Sequence, residues 1–188
     1  LDFQRLVGEM KAGSVGALMV RNADVWHGLS DASGFKDALF DVPLLVSFSG
    51  FMDDTTSMSD LVLPEHNYLE DWGSDIPDIG PGYQVLGIQQ PVVRPFFESR
   101  GSQLGTRNFG DVLISLASEL EIDLDLDAEN FQDVVKNSVR ELYDSNSGSV
   151  RSDSFAGFWN GLLQRGGWWD TAAIADNVST IPVLSEPQ

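Results

Sequence analysis

The sequence predicts an α/β fold: a partial parallel sheet with helices, then an extended connector, then a helical C-terminal segment. Three observations carry this. Short apolar runs at Val15–Val20, Leu44–Phe48 and Leu61–Leu63 alternate with helical spacing, the pattern of a parallel sheet with crossovers. Gly73 to Arg107 is rich in Pro and Gly, and within it only Gln84–Ile88 reads as a strand. From Asn108 onward apolar residues recur at helical intervals. The expected divisions are 1–72, 73–107 and 108–188.

Phe3, Leu6, Val7 and Met10 fall on one stripe of a helix that Lys11–Ala12–Gly13 ends. VGALMV at Val15–Val20 reads as a buried strand, Phe35, Ala38 and Leu39 as a short helix, and LLVSF at Leu44–Phe48 as a second buried strand. Asp53–Met58 gives one or two helical turns, and Leu61–Leu63 a very short strand stopped by Pro64. The connector also carries Val85, Leu86, Ile88, Val92, Val93, Phe96 and Phe97, too apolar for a free linker. That combination predicts a segment lying along another part of a larger protein. Val112, Leu113, Leu116, Ala117 and Leu120 mark a helix, Ala128–Tyr143 a second and Phe155–Arg165 a third. The tail from Thr171 reads as extended, and no internal repeat is visible.

Composition narrows the function classes. The chain has 188 residues, 42% of them hydrophobic, with five Trp, which favours a folded core over disorder. Its net charge of −18 disfavours nucleic acid and anionic lipid surfaces. With no cysteine, neither a disulfide nor a thiolate-held zinc or iron–sulfur cluster can form within it. No apolar run approaches the roughly 20 residues of a membrane span, so direct membrane insertion is not expected. Opening at Leu1 directly into a helical pattern predicts a piece of a longer protein.

Few residues carry chemistry on their own. Asp123, Asp125 and Asp127 alternate as in a calcium loop, but Ala128 and Val134 stand where an EF-hand needs Gly and Glu. They read as a solvated edge, with Asp127 capping the next helix. His27 and His66 have no acid partners in a recognisable spacing and read as hydrogen-bonding loop residues. No Gly-x-Ser-x-Gly elbow, dinucleotide fingerprint or phosphate loop occurs. One positional rule points to a ligand: in open parallel sheets, ligands bind beyond the carboxyl ends of the strands. Those ends are Arg21–Asp24, Ser49–Phe51 and Glu65–His66.

Val46–Gly73, VSFSGFMDDTTSMSDLVLPEHNYLEDWG, resembles the stretch of the molybdopterin oxidoreductase family where a strand leads to an Asp–Glu–Thr-type turn, then ADLVLP, then Leu–Glu–x–Trp–Gly. Val15–Asp31 resembles the family's "ALLV-GANP" strand and loop, and Phe35–Val42 its following helix. Gln89–Pro95, Arg107–Leu116 and Phe158–Asp170 resemble its connector and later helices. Among the branches, the Val-Ser-Phe-Ser form of Val46–Ser49 is most like the polysulfide reductases and the B subunit of alternative complex III and related quinone-reductase complexes.

The resemblance implies that residues 1–72 form half of a Rossmann-like domain holding one molybdopterin guanine dinucleotide. Its loops would place Asn22, Asp24, Ser49, Phe51, Asp53 and Thr55 at the nucleotide, with no catalytic residue and no metal ligand in this chain. Any iron–sulfur cluster would lie outside the chain. The implied partners are the remaining domains of the parent subunit and the iron–sulfur and membrane subunits of a respiratory complex, at the periplasmic face of a bacterial membrane. Two departures stand out: Asn22–Val25 replaces Gly-Ala-Asn-Pro, and Phe48–Ser49 replaces a common Gln-Asp. The branch also includes homologues that lost the cofactor and serve as structural subunits, and that alternative stays open. So does an α/β binding module unrelated to the family.

Overall fold

A computed structural model describes residues 3–77, 81–95 and 105–174. The chain forms two compact units. The first runs to Asp71 and resumes at Pro91–Leu126; the second comprises Trp72–Gln90 and the chain from Asp127.

The first unit is built on a three-stranded parallel sheet in the order β1 (Leu18–Val20), β2 (Leu45–Ser47), β3 (Leu61–Val62). Leu18 pairs with Leu45, Met19 with Val46 and Val20 with Ser47; Val46 then pairs with Leu61. Central β2 is buried throughout. The outer strands are shorter than their apolar runs and only partly covered, with Met19 and Leu61 exposed. A full strand at Val15–Val20 is therefore corrected to its last three residues. Pro64 has no N–H to continue the ladder after β3, although the Leu63 N–H still donates to Ser47 O (2.8 Å).

Helix α1 (Phe3–Lys11) and the short α3 (Phe35–Leu39) pack together against one face of this sheet. Val7, Met10, Val20, Phe35, Ala38, Leu39, Val42 and Leu45 form the core there. Met10 is fully buried, and the Phe3 and Phe35 rings stack at 5.4 Å. Each of the larger apolar side chains, Ala38 excepted, contributes about 1.5–3 kcal/mol by leaving water. Gly13 and Gly34 take positive φ (69° and 70°), where a Cβ is strained, and so end α1 and open α3. Toward the carboxyl end of β2, Phe48 meets Phe109 edge-on at 4.8 Å, and the Arg21 guanidinium lies 4.7 Å over the same ring. Phe109 begins α5 (Phe109–Glu119). The cap of α5 is Asn108, whose Oδ1 accepts from Asp111 N–H while its Nδ2 donates to buried Asp71 (2.5 Å).

The second unit holds the strand content that the sequence understated. β4 (Gly73–Asp75), β5 (Tyr83–Gln89) and β6 (Gly167–Ile174) form an antiparallel sheet with β5 central. Thus β5 exceeds the expected Gln84–Ile88, and β6 begins at Gly167, ahead of the extended tail expected from Thr171. The expected helix Ala128–Tyr143 is two helices, α6 (Phe131–Ser138) and α7 (Arg140–Asp144), separated at Val139 (φ −97°, ψ 5°). Asn130, not Asp127, caps α6 by accepting from Asp133 N–H. α8 (Phe155–Arg165) matches its expected bounds, capped by Ser154 and ended by Gly166 at φ 75°. Leu86, Ile88 and Trp168 face Val135, Val139, Phe158, Trp159 and Leu162 in one core. Phe96, Phe97 and the tail beyond Ile174 lie outside the described residues.

Candidate functional site at the carboxyl end of the parallel sheet

Parallel strands deliver their following loops to one edge, so residues distant in sequence meet there. After β1 the chain turns through Asn22, at φ 53°, into α2 (Val25–Gly28). After β2 it passes Ser49 and Phe51 into α4 (Asp54–Ser57). The two helices lie in contact.

Asp24 and Asp53 cap these helices and hold the loops together. Asp24 Oδ1 accepts from His27 N–H (3.3 Å) in its own loop. The same oxygen accepts from the Thr55 hydroxyl (2.6 Å) and Thr55 N–H (3.2 Å) across the site. The Thr55 oxygen in turn accepts from Trp26 N–H (2.9 Å). Asp53 Oδ1 accepts from Thr56 N–H (2.7 Å), and its Oδ2 from the Ser49 hydroxyl (3.1 Å). Ser49 Oγ also accepts from Phe51 N–H (3.1 Å). Beneath them the buried hydroxyls of Ser47 and Thr56 lie 2.8 Å apart.

Both carboxyls are held below the ordinary aspartate range. For Asp24 the main cause is the Thr55 hydroxyl bond, helped by the His27 and Thr55 N–H groups against a desolvation penalty. For Asp53 it is hydrogen bonding from Thr56, with Ser49 adding to it; desolvation and the Asp24 charge oppose. Two ionised carboxylates therefore stand at this edge at neutral pH. Among the described residues of these loops, Arg21 is committed to Glu65 (2.8 Å) and His27 faces Asp54 at 3.9 Å. His66 shares a hydrogen bond with Thr106 (3.0 Å). The N–H groups of Ser49, Phe51, Thr55 and Thr56 are all given to the chain's own oxygens.

That arrangement has a definite chemistry. It offers anionic acceptors, and in the loop between Ser49 and Asp53 the residue Phe51 is 82% exposed. Such groups suit a planar ligand edge bearing N–H donors, guanine among them. They do not suit a pyrophosphate, which needs free N–H groups or uncommitted cations.

Of the six residues singled out from sequence, Asp24, Ser49, Asp53 and Thr55 share the two capping clusters. Phe51 joins by its backbone, and Asn22 is an exposed turn residue with a left-handed backbone. Sequence reasoning missed Ser47, Thr56 and the Arg21–Glu65 pair. An N-cap signal for Asp53–Thr56 was present in the Asp-Asp-Thr-Thr order, since a capping carboxylate accepts from the N–H three residues on. Among the described residues no group of three His, Cys, Asp or Glu could hold a metal ion, and no helix is long and apolar enough to cross a membrane.

No family model matches the chain. It is 35% identical over 126 residues to the menaquinone reductase, molybdopterin-binding-like subunit of Nitratidesulfovibrio vulgaris strain Hildenborough. The match covers 67% of this chain and 17% of that relative, so the chain spans about a sixth of the relative's length. Through that relative, the chain is related to the molybdopterin oxidoreductases.

Proposed function

We propose that this chain is a segment of the large, molybdopterin-binding-like subunit of a quinone-linked respiratory oxidoreductase. The observation that carries the reading is the 35% identity with a menaquinone reductase subunit over 126 residues. The parent would exchange electrons with quinones through iron–sulfur and membrane subunits, at the extracytoplasmic face of a bacterial membrane. The segment itself catalyses nothing.

Within that parent, the sheet edge would face the nucleotide end of a molybdopterin guanine dinucleotide. Asp24 and Asp53 would accept from the guanine N–H groups and Phe51 would stack on the ring, with Asn22, Ser49 and Thr55 shaping the loops. The pyrophosphate would be held by parts of the parent outside these loops, where the chemistry of metal and pterin also belongs.

A second reading has its own support: the lobe has kept the fold without the cofactor and serves as a scaffold. The favouring observation is that the N–H groups of Ser49, Phe51, Thr55 and Thr56 are spent on internal bonds. Elemental analysis for molybdenum and tungsten on the natively purified full-length protein, with a pterin fluorescence assay and acid extraction of guanine nucleotide, separates the two. Near-stoichiometric metal, pterin and guanine nucleotide supports the cofactor reading; absence of all three in an assembled complex supports the scaffold. Recovery of pterin and metal without guanine nucleotide refutes the assignment of these loops to guanine.

A further inference from the structure

The last turn of α5 and the chain that follows leave an apolar strip uncovered. Leu116, Leu120, Ile122, Leu124 and Leu126 are between 38% and 59% exposed, within the first unit. α5 thereby departs from an ordinary amphipathic helix: of its apolar stripe only Ala117 is buried. Leu116 and Leu120 share a helix face, being four residues apart. A hydrogen-bonded stop sets Ile122 just beyond them, with Ile122 N–H donating to Ala117 O (2.8 Å) and Glu121 N–H to Ser118 O (3.2 Å). Exposed large aliphatic side chains grouped this way mark a surface that another body covers.

Charge identifies that body. Glu119, Glu121, Asp123 and Asp125 alternate with the apolar residues, and no Lys or Arg occurs between Arg107 and Lys136. A second copy of this chain would bring −18 against −18. An anionic lipid surface is repelled by the same field. We propose that the strip Leu116–Leu126 is a docking surface for a protein segment carrying interleaved basic and aliphatic side chains. The aliphatic groups would cover the leucines, while the cations complement the acids and speed encounter. None of the strip's residues belongs to the capping network at the sheet edge.

The test is fluorescence anisotropy with a labelled synthetic peptide of alternating Lys and Leu, titrated with the full chain at about 0.15 M salt, where the Debye length is about 8 Å. Three variants are compared: Leu120→Ser/Leu124→Ser, Asp123→Asn/Asp125→Asn, and the control Asp37→Asn/Asp41→Asn, which removes equal charge elsewhere. Circular dichroism checks that each folds. The expected result is saturable binding to the wild type, weakened about tenfold or more by either strip variant. The control should change affinity by less than about twofold, as screened distant charges do. No saturable binding overturns the proposal. So does equal weakening by all three variants, which reports net charge alone, or an unchanged affinity for Leu120→Ser/Leu124→Ser. Self-association of the wild type that this variant abolishes would assign the strip to a second copy and overturn the basic partner.

Discussion

Thr55→Val tests the joint between the two sheet-edge loops, because valine keeps the shape of threonine and removes only its hydroxyl. Thr55 is 1% exposed. Its hydroxyl donates to Asp24 (2.6 Å) and accepts from Trp26 N–H (2.9 Å), so one substitution removes two bonds between segments about thirty residues apart in sequence. Stranding the partly buried Trp26 N–H alone costs about 1–3 kcal/mol. With a urea slope of about 1–3 kcal/mol/M, the midpoint of the first unit should fall by roughly 1 M. Trp26 is the one tryptophan in this unit, since Trp72, Trp159, Trp168 and Trp169 belong to the second. Labelling with 5-fluorotryptophan therefore gives a fluorine resonance for the first unit, assignable by Trp26→Phe. A loss under about 0.5 kcal/mol, the range of ordinary surface substitutions, would show that the loops are held by something other than this hydroxyl.

Acid should act on the same joint. Asp24 and Asp53 have folded pKa values below the unfolded aspartate value of about 3.9, so their stabilisation is complete above that value and is lost as pH falls through the folded values. The Trp26 resonance should report first-unit unfolding in urea at an unchanged midpoint between about pH 6 and pH 5, and a falling one below about pH 4; Thr55→Val should narrow the difference from wild type as pH drops. In the second unit, Gly148→Ala should be severe. A Cβ there would stand 2.4 Å from the Trp168 ring at a φ of 75°, a combined clash and backbone strain of about 3 kcal/mol or more, read by tryptophan fluorescence in denaturant. Glu121→Gly should stabilise the first unit by about 1 kcal/mol, because Glu121 ends α5 at φ 55° where glycine is unstrained; the same urea titration checks it.

The parts of the fold legible in the sequence were those where local pattern and tertiary role agree. α8 kept its bounds because Ser154 and Gly166 are local signals. β2 was legible because a central parallel strand is buried throughout, and Leu44–Phe48 is apolar but for Ser47. Gly167–Asp170 was not, since Gly-Gly-Trp-Trp lacks strand alternation and its partner β5 is some eighty residues earlier, whereas Thr171–Ile174 was read as extended and is the end of that strand. Pro- and Gly-rich spacing likewise hid β4, which exists by pairing with β5. At the site, carboxyl-end geometry brought out Asp24, and the family resemblance added Asp53. Neither could foresee that Asp24 is bonded inward to the other loop, because the Asp24–Thr55 contact depends on two crossovers landing side by side. Ser47 is the strand residue it looked like, and its buried hydroxyl beside Thr56 carried no local signal.

The most direct measurement on the central claim is to tag the full-length protein in its source organism, solubilise the membranes in mild detergent, and assay the isolated material for electron transfer to a menaquinone analogue. The expected result is a stable assembly with iron–sulfur and membrane subunits that exchanges electrons with the quinone. Recovery of the tagged protein alone from the soluble fraction, with no redox subunit attached and no quinone activity in the membrane eluate, would contradict it.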